Sequence, residues 1–450
     1  MHFSQKPLMR YCSKISWIAI VLYFLDIILL GTGQLTKIGP FSTRILFFAV
    51  AVLAALPFLF VKIREYVRNP FLLAVGAFMI WLCIAFVIGV VNGNRLDIIK
   101  SDIFGYANLL LLPAMLYAFT DKKHIFLLMK IIVAATFIVA IAAIVLSFYA
   151  YFPNQLSVYR FTGESGLCSI TEMGQNATRI YFHTGSRYCL VAYMISFYFF
   201  LTGDSKRKYI WLLPMAIFIV AIFISYSRAQ YLGSVLAVVL SLIMILWKKR
   251  SFMKQAIAGS ACAVILACAI LGTLSLVQHT NLFKVGIYRV LLSLSIEEEA
   301  GGKPIEETPS DDYLNLEAEM NSLNIRNEKI AQLQASISKN WLFGNGLGAA
   351  IQEDNGYVEY TYYDIMNKMG LVGLLLFVAP FGLIAFFTCR RKQNQETDSD
   401  AILQYISLSS IFYFMVITYF NPCMNTTVGI SCYVFAMAVA NVFRKKEMPI

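Results

Sequence analysis

Long unbroken apolar runs dominate the chain, and polar residues gather in short clusters between them. A helix needs about 20 apolar residues to cross the hydrocarbon of a bilayer. Twelve runs qualify, at approximately 15–31, 42–61, 71–91, 102–119, 125–152, 186–202, 209–225, 228–247, 255–277, 361–388, 402–420 and 425–443. Strands of a closed barrel would alternate apolar and polar positions, and these runs do not. The pattern predicts an all-α, polytopic membrane protein with about 12 transmembrane helices. The first run, Ile15 to Leu30, lacks a convincing small-residue cleavage site and is read as a retained helix.

The polar clusters alternate in character. Every second one is basic: Lys6, Arg10 and Lys14; Lys62, Arg64 and Arg68; Lys122 and Lys123; Lys206, Arg207 and Lys208; Lys248, Lys249, Arg250 and Lys254; Arg390, Arg391 and Lys392; and Arg444, Lys445 and Lys446. By the positive-inside rule these clusters are cytoplasmic, and so are both termini. Two segments on the other side are long, about 152–185 and about 278–360. The chain therefore divides into residues 1–278, with spans 1–9 and an outer loop near 152–185; a large outer loop at 279–360; and residues 361–450, with spans 10–12. The acidic part of the large loop (Glu297, Glu298, Glu299, Glu306, Glu307, Asp311 and Asp312) reads as a solvated stretch.

After that stretch the helical period returns. Leu316, Met320, Leu323, Ile330, Leu333 and Ile337 recur at three- and four-residue steps and fall in one arc, which also contains Arg326. An arginine on an apolar face needs a partner. Arg326 is either a snorkelling or ion-paired side chain, or an anion-binding one directed into a cavity.

Composition agrees with the span pattern. Hydrophobic residues make up 59% of the 450 and charged residues 14%, too little polar surface for a soluble protein of this length. The net charge of +11 would suggest nucleic acid in a soluble chain; here the basic loops account for most of it, and no nucleic-acid partner is expected. The nine cysteines form no CxxC pair and no metal-ligand spacing with the four histidines, so neither a metal nor a cofactor is expected. Cys168 is the clearest cysteine in a long polar loop.

Two stretches carry the most specific signal. One is Ser225-Tyr-Ser-Arg-Ala-Gln-Tyr-Leu-Gly233, which places Arg228 at the start of a span. Its plain reading is an interfacial anchor; its functional reading is a fixed charge for a phosphate at headgroup depth. The other is Asn340-Trp-Leu-Phe-Gly-Asn-Gly-Leu-Gly348, followed by Glu359 and then by Gly370-Leu-Val-Gly373. Its glycines follow no strand and read as a tight turn rather than a nucleotide loop.

Together these stretches resemble the O-antigen polymerase/ligase superfamily over roughly residues 150–390. Members have a Ser-Arg-Ala/Gly-x-x-Leu-Gly motif opening a span, an arginine-bearing amphipathic helix, a Leu-Phe-Gly-x-Gly-x-Gly turn and a span starting Gly-Leu-x-Gly. Ligases of the family carry a histidine about eleven residues before that last motif, where this chain has Glu359. Ile330 stands where a tryptophan usually follows the helix arginine. Glu359-Tyr-Thr-Tyr362-Tyr363 is closer to the Glu-x-x-Tyr-Leu of the polymerases.

The resemblance implies a GT-C-like, metal-independent inverting glycosyltransferase of the bacterial inner membrane, acting on its outer face. The donor and acceptor would be undecaprenyl-pyrophosphate-linked glycans, among membrane lipids, with a chain-length regulator as a further partner. The product would be O-antigen, capsule or exopolysaccharide. Within it, Arg228 and Arg326 would steady the leaving pyrophosphate and Glu359 would act as the base. Arg179, Arg187, Arg289, Arg160 and Tyr362 are candidates for substrate binding. The alternatives are a ligase transferring glycan to lipid A core or protein, and a lipid-linked glycan flippase. Rival features are His183 as the base, Asp364 and Lys368 as an intrahelical pair, Asp26 as a membrane acid within reach of water, and Tyr357, Tyr360, Tyr362 and Tyr363 as either a sugar platform or an interfacial belt.

Overall fold

A computed structural model describes residues 5–33, 35–38, 41–119, 122–149, 156–172, 177–203, 206–287, 316–351, 360–390 and 397–444. The architecture is all-α. Its helices are α1 (Gln5–Leu29), α2 (Thr43–Val61), α3 (Ile63–Val67), α4 (Pro70–Val91), α5 (Leu96–Ala107), α6 (Leu111–Ala118), α7 (Lys122–Tyr149), α8 (Leu156–Glu164), α9 (Gly185–Thr202), α10 (Leu212–Ile224), α11 (Arg228–Lys248) and α12 (Met253–Val277). They continue with α13 (described over 282–287), α14 (Leu316–Lys339), α15 (Thr361–Arg390), α16 (Asp398–Phe420) and α17 (Thr427–Arg444). Eleven segments among the described residues are long and apolar enough to cross a membrane, so this is a multi-pass membrane protein.

Local chemistry explains the helix boundaries. Asn69 caps α4, accepting from the Phe71 amide at 3.0 Å, and Pro70 stands where a helix spares its first donor. The expected fourth span is built from α5 and α6, joined by a 3₁₀ turn at Asn108–Leu110.

The expected sixth span differs from the other eleven. It forms as α9, but its tyrosines, serines and Arg187 leave it less apolar than the others. Nearly every α9 residue is buried, against α7, α10 and α16, so few of its side chains have to face lipid. It runs the length of the bundle. At its start the Thr184 hydroxyl donates to the Ile27 carbonyl at 2.5 Å. At its far end Gln255 donates to the Phe200 carbonyl at 2.9 Å and Tyr198 meets Ser399 at 2.6 Å.

The two ends of the bundle differ in composition. One carries the basic clusters, where Lys122 pairs with Asp400, Lys249 with Asp398 at 2.6 Å, and Asn69 with Asn441 at 2.9 Å. The other carries the 152–185 segment and the turns from α10 to α11 and from α16 to α17. Here Asp26 is not open to water as expected. It is 2% exposed, pairs with Arg44 at 3.0 Å and accepts from the Thr43 hydroxyl. Arg44 also donates to the Gly31 carbonyl at 2.7 Å, which makes the pair a clamp between α1 and α2.

A short antiparallel pair, β1 (Lys37–Ile38) with β2 (Phe41–Ser42), precedes α2, and the described part of the 152–185 segment holds α8 and an antiparallel hairpin, β3 (Cys168–Glu172) with β4 (Thr178–Phe182), in the register Thr171↔Arg179 and Ser169↔Tyr181. The sequence predicts only an outer loop there. Cys168, read as a residue of a polar loop, is fully buried at the base of this hairpin.

The helix α15 is broken at Gly370, which has φ 65° and ψ −172°, a region open essentially to glycine. The turn at 340–348 plugs the break. The amides of Asn345 and Gly346 donate to the carbonyls of Asn367 and Lys368 (2.8 and 3.0 Å). Leu371 donates to the Trp341 carbonyl at 2.9 Å, and the Trp81 indole donates to the Met369 carbonyl at 2.9 Å. Backbone groups freed inside a bundle must find such partners. Gly346, at φ 84°, packs directly on the backbone of Gly89 in α4. The glycine motifs of the sequence are thus a docking device that fixes the C-terminal end of α14 to the bundle.

Candidate functional site

The site grows from the hairpin. Along β4 the residues alternate: Thr178, Ile180 and Phe182 are buried, while Arg179 and Tyr181 lie half-buried on the opposite face. The Arg179 guanidinium lies over the Tyr181 ring, 5.1 Å from its centroid, and its Nε donates to the Ser225 carbonyl at 2.9 Å. That carbonyl belongs to a tight turn between α10 and α11. Tyr226 adopts φ 45° there, an uncommon conformation for a bulky residue, and its side chain is 1% exposed. The Tyr226 amide donates to the Phe223 carbonyl at 3.1 Å and the Ser225 hydroxyl to the Ile222 carbonyl at 2.6 Å. The turn releases the chain into α11 with Arg228 as its first residue, at the positive end of the helix dipole.

Arg326 comes from α14. It is half-buried on the same face as Leu333, which is fully buried, as the helical arc in the sequence implies. Arg228 and Arg326, 98 positions apart, both make themselves felt at Arg179. Burial pushes the Arg179 guanidinium below its usual range, Tyr181 and Tyr231 oppose that, and the positive charges of Arg228 and Arg326 push it down further.

Arg187, in the first turn of α9, sits on the other side of Tyr181. Its Nε donates to the Tyr181 hydroxyl at 2.9 Å and its Nη1 to the Pro422 carbonyl at 3.1 Å. The four arginines thus come from four elements (β4, α9, α11 and α14): Arg179 and Arg187 meet at Tyr181, the Ser225 turn joins Arg179 to the start of α11, and Arg326 reaches Arg179 through its charge. Between Arg179 and Arg187 stands His183, its ring 6.1 Å from that of Tyr181. Burial lowers the His183 pKa first, and the charges of Arg187 and Arg179 lower it further, which favours the neutral imidazole.

Other candidates fall elsewhere. Arg160 lies exposed on α8 and pairs with Glu164 at 2.8 Å, an ordinary i,i+4 pair. The Tyr362 hydroxyl donates to the Met415 carbonyl at 2.8 Å, so it ties α15 to α16. Tyr360 makes edge contacts with Tyr363 and Tyr419, at 6.2 and 6.4 Å. Glu359, Arg289 and Tyr357 lie outside the described residues. Among the described residues, no three His, Cys, Asp or Glu side chains come together in a way that would hold a metal ion.

A second polar centre lies beside the glycine turn. The expected pair of Lys368 and Asp364 forms at 2.8 Å, and Asp102 of α5 joins it at 2.7 Å. Asp102 also accepts from the Gly348 amide at 2.9 Å. Lys368 and Asp364 are 2% and 4% exposed. One lysine therefore balances two carboxylates in the interior, and one of those carboxylates holds the turn that anchors α14. Charges placed this way join elements together, and none of their described contacts leads toward the arginines.

Sequence reasoning identified the arginines singly and missed what assembles them. The hairpin was legible in Thr-Arg-Ile-Tyr-Phe, a short period-two stretch overlooked beside the long apolar runs. No protein-family model matches the chain, and no curated protein is similar enough to count as a match.

Proposed function

We propose that this protein is a membrane glycosyltransferase that polymerises undecaprenyl-pyrophosphate-linked oligosaccharide repeat units at the outer face of the bacterial inner membrane. The observation that carries the reading is the gathering of Arg179, Arg187, Arg228 and Arg326 at one end of the bundle. Guanidinium groups suit a pyrophosphate, because their forks grip phosphate oxygens and never lose their charge. The opposite end carries the basic loops, which favours a cytoplasmic placement for that end and an outer one for the arginines. Counting α9 as a twelfth crossing returns both termini to the basic side, and a GT-C-like arrangement is part of the proposal through the family resemblance.

In this reading an acceptor hydroxyl attacks the anomeric carbon of the donor. The new glycosidic C–O bond forms as the bond to the pyrophosphate oxygen breaks, with inversion. The leaving pyrophosphate keeps the electron pair and meets the arginines, whose fixed positive charge is strongest where negative charge develops. The hydroxyl proton passes to a base. Glu359 and its rival His183 are both candidates from the sequence, and His183 lies beside the arginines, whose charges favour its neutral form.

The test supplies lipid-linked repeat units to the purified protein in detergent and follows chain length. Arg228→Ala and Arg326→Ala are each expected to slow lengthening about 10²- to 10³-fold. Glu359→Gln and His183→Gln separate the two bases. Lengthening that survives both arginine variants refutes the site. Glycan-lipid that crosses liposomes with no new glycosidic bond makes the protein a flippase, and transfer only to lipid A core or protein makes it a ligase.

A further inference from the structure

Two helices that run in opposite directions measure how deep the turn at 340–348 sits. The first, α4, is 22 residues long with no charged side chain, about 33 Å, which matches a hydrocarbon core of about 30 Å. It ends at Val91, where the polar run Asn92, Gly93, Asn94 and Arg95 begins. Trp81 stands about ten residues before that end, roughly 15 Å in. The Phe343 ring lies 5.9 Å from the Trp81 ring. The second helix, α15, begins at Thr361, next to Tyr360, which touches Tyr419 at the end of α16. Leu371, about ten residues into α15 and again roughly 15 Å deep, donates its amide to the Trp341 carbonyl at 2.9 Å. Both measures put Trp341 to Phe343 well inside the membrane-crossing layer, although these residues belong to no spanning helix.

Irregular backbone at that depth persists only where protein groups satisfy its polar atoms. Here the amides of Asn345, Gly346 and Leu347 donate to the carbonyls of Asn367, Lys368 and Ala85, and the Trp341 and Leu342 carbonyls accept from the Leu371 and Val372 amides. Asn92 and Asn94 donate to the carbonyls of Asn345 and Leu347 at 3.0 and 2.8 Å. A turn standing in water would not need so full a set, because water would serve the same groups.

The side chains sort in the sense of a membrane as well. Leu347 is fully buried, and the Asn345 side chain turns inward, donating to Asn367 Oδ1 at 3.0 Å. The polar groups at comparable depth are closed off: Asp364, Asn367 and Lys368 are all buried. Trp341 and Phe343 do the reverse. Each is 54% exposed, and so is Leu375, one turn past Leu371 on α15, at 62%. A water-filled opening would show the polar groups; this surface shows the apolar rings.

We propose that residues 340–348 form a re-entrant wedge whose Trp341 and Phe343 rings lie against lipid acyl chains, deep in the leaflet at the arginine end of the bundle. Bilayer hydrocarbon is thus a direct partner of the element that fixes the end of α14, the helix that carries Arg326. Nothing in this placement depends on the reaction the protein performs.

The test uses the full-length protein in vesicles of phosphatidylcholine and phosphatidylglycerol, with part of the phosphatidylcholine carrying bromine at one chosen depth of its acyl chain. Bromine quenches tryptophan on contact. Combining Trp17→Phe, Trp211→Phe and Trp247→Phe leaves Trp81 and Trp341, so the bond from Trp81 to the Met369 carbonyl stays in place. Adding Trp341→Phe gives the Trp81 background, and the difference is the Trp341 signal. Trp247, exposed at the basic end of α11, kept in place of Trp341, marks a shallow position. The Trp341 emission is expected to be blue-shifted, to lose most of its intensity to bromine far down the chain, and to change little with iodide in the water. Trp247 is expected to respond best to bromine near the headgroup. Phe343→Trp in the otherwise unaltered protein, read as added signal, measures the same depth without removing any tryptophan.

Quenching by iodide with little response to any brominated lipid would put the rings in water and overturn the proposal. Strongest quenching by bromine beside the headgroup would make the turn a surface feature and overturn it too. Indifference to both quenchers would mean that protein, from a second copy or another chain, covers the rings, and the lipid contact would again be refuted.

Discussion

Replacing Lys368 by methionine should release the turn that anchors α14. The lysine is 2% exposed and contacts Asp102 at 2.7 Å and Asp364 at 2.8 Å, so its loss strands the buried Asp364 carboxylate beside that of the partly buried Asp102. Removing one partner of a buried ion pair costs about 3–5 kcal/mol, because the charge left behind has no compensation. Asp102 also holds the Gly348 amide, and the carbonyl of Lys368 itself accepts from the Gly346 amide at 3.0 Å. The cost should therefore fall on the docking of residues 340–348. Amide exchange at Asn345, Gly346, Leu347 and Gly348 reports that opening. At 1.4 kcal/mol per tenfold, exchange should speed up by about two to three and a half decades if the turn opens as a unit. Asp364→Asn alone should be mild, because the Lys368–Asp102 pair remains. Combining Lys368→Met with Asp102→Asn and Asp364→Asn should restore much of the protection by removing the stranded charges. Unchanged exchange in Lys368→Met, or no recovery in the triple variant, would refute the view that charge balance holds this turn.

Three further expectations rest on local geometry and charge. Gly346→Ala should abolish stable expression, since its Cβ would overlap the Gly89 backbone at a left-handed φ of 84°, while Gly272→Ala, with open space around it, should be tolerated; detergent-extracted yield by size-exclusion distinguishes the two. Arg187→Gln should raise the His183 pKa, read by NMR of the imidazole, because one of the charges that depress it is gone. The sign for stability is set by the same depression. Below about pH 6.5 the unfolded chain binds the His183 proton more readily than the folded one, so stability falls with acidification and His183→Gln should flatten that slope.

Features written locally were legible in the sequence. Apolar length marked the spans, the three-four spacing put Arg326 on the inward face of α14, and the Ser-Arg motif set Arg228 at a helix start. Features that depend on distant partners were not. Lys368 could be paired with Asp364 from their spacing, but Asp102, 266 positions away, leaves no sequence trace. Asp26 looked like an acid near water because Arg44, which neutralises it, sits beyond a turn. Gly370 falls inside the apolar run at 361–388 and opens a Gly-Leu-x-Gly motif, and neither feature signals a broken helix. The break there is set by backbone angles and by the turn that fills it.

The enclosure of α9 has a consequence for how the protein is made. A segment carrying Arg187 and several hydroxyl-bearing side chains partitions poorly from the translocation channel into lipid by itself. Its natural companions are α7, made before it, and α10, made just after, both strongly apolar and both in direct contact with it. Its entry into the bilayer is thus a joint event of helices already associating, and mutations that loosen those contacts should first show as wrong topology during synthesis, before any loss of activity.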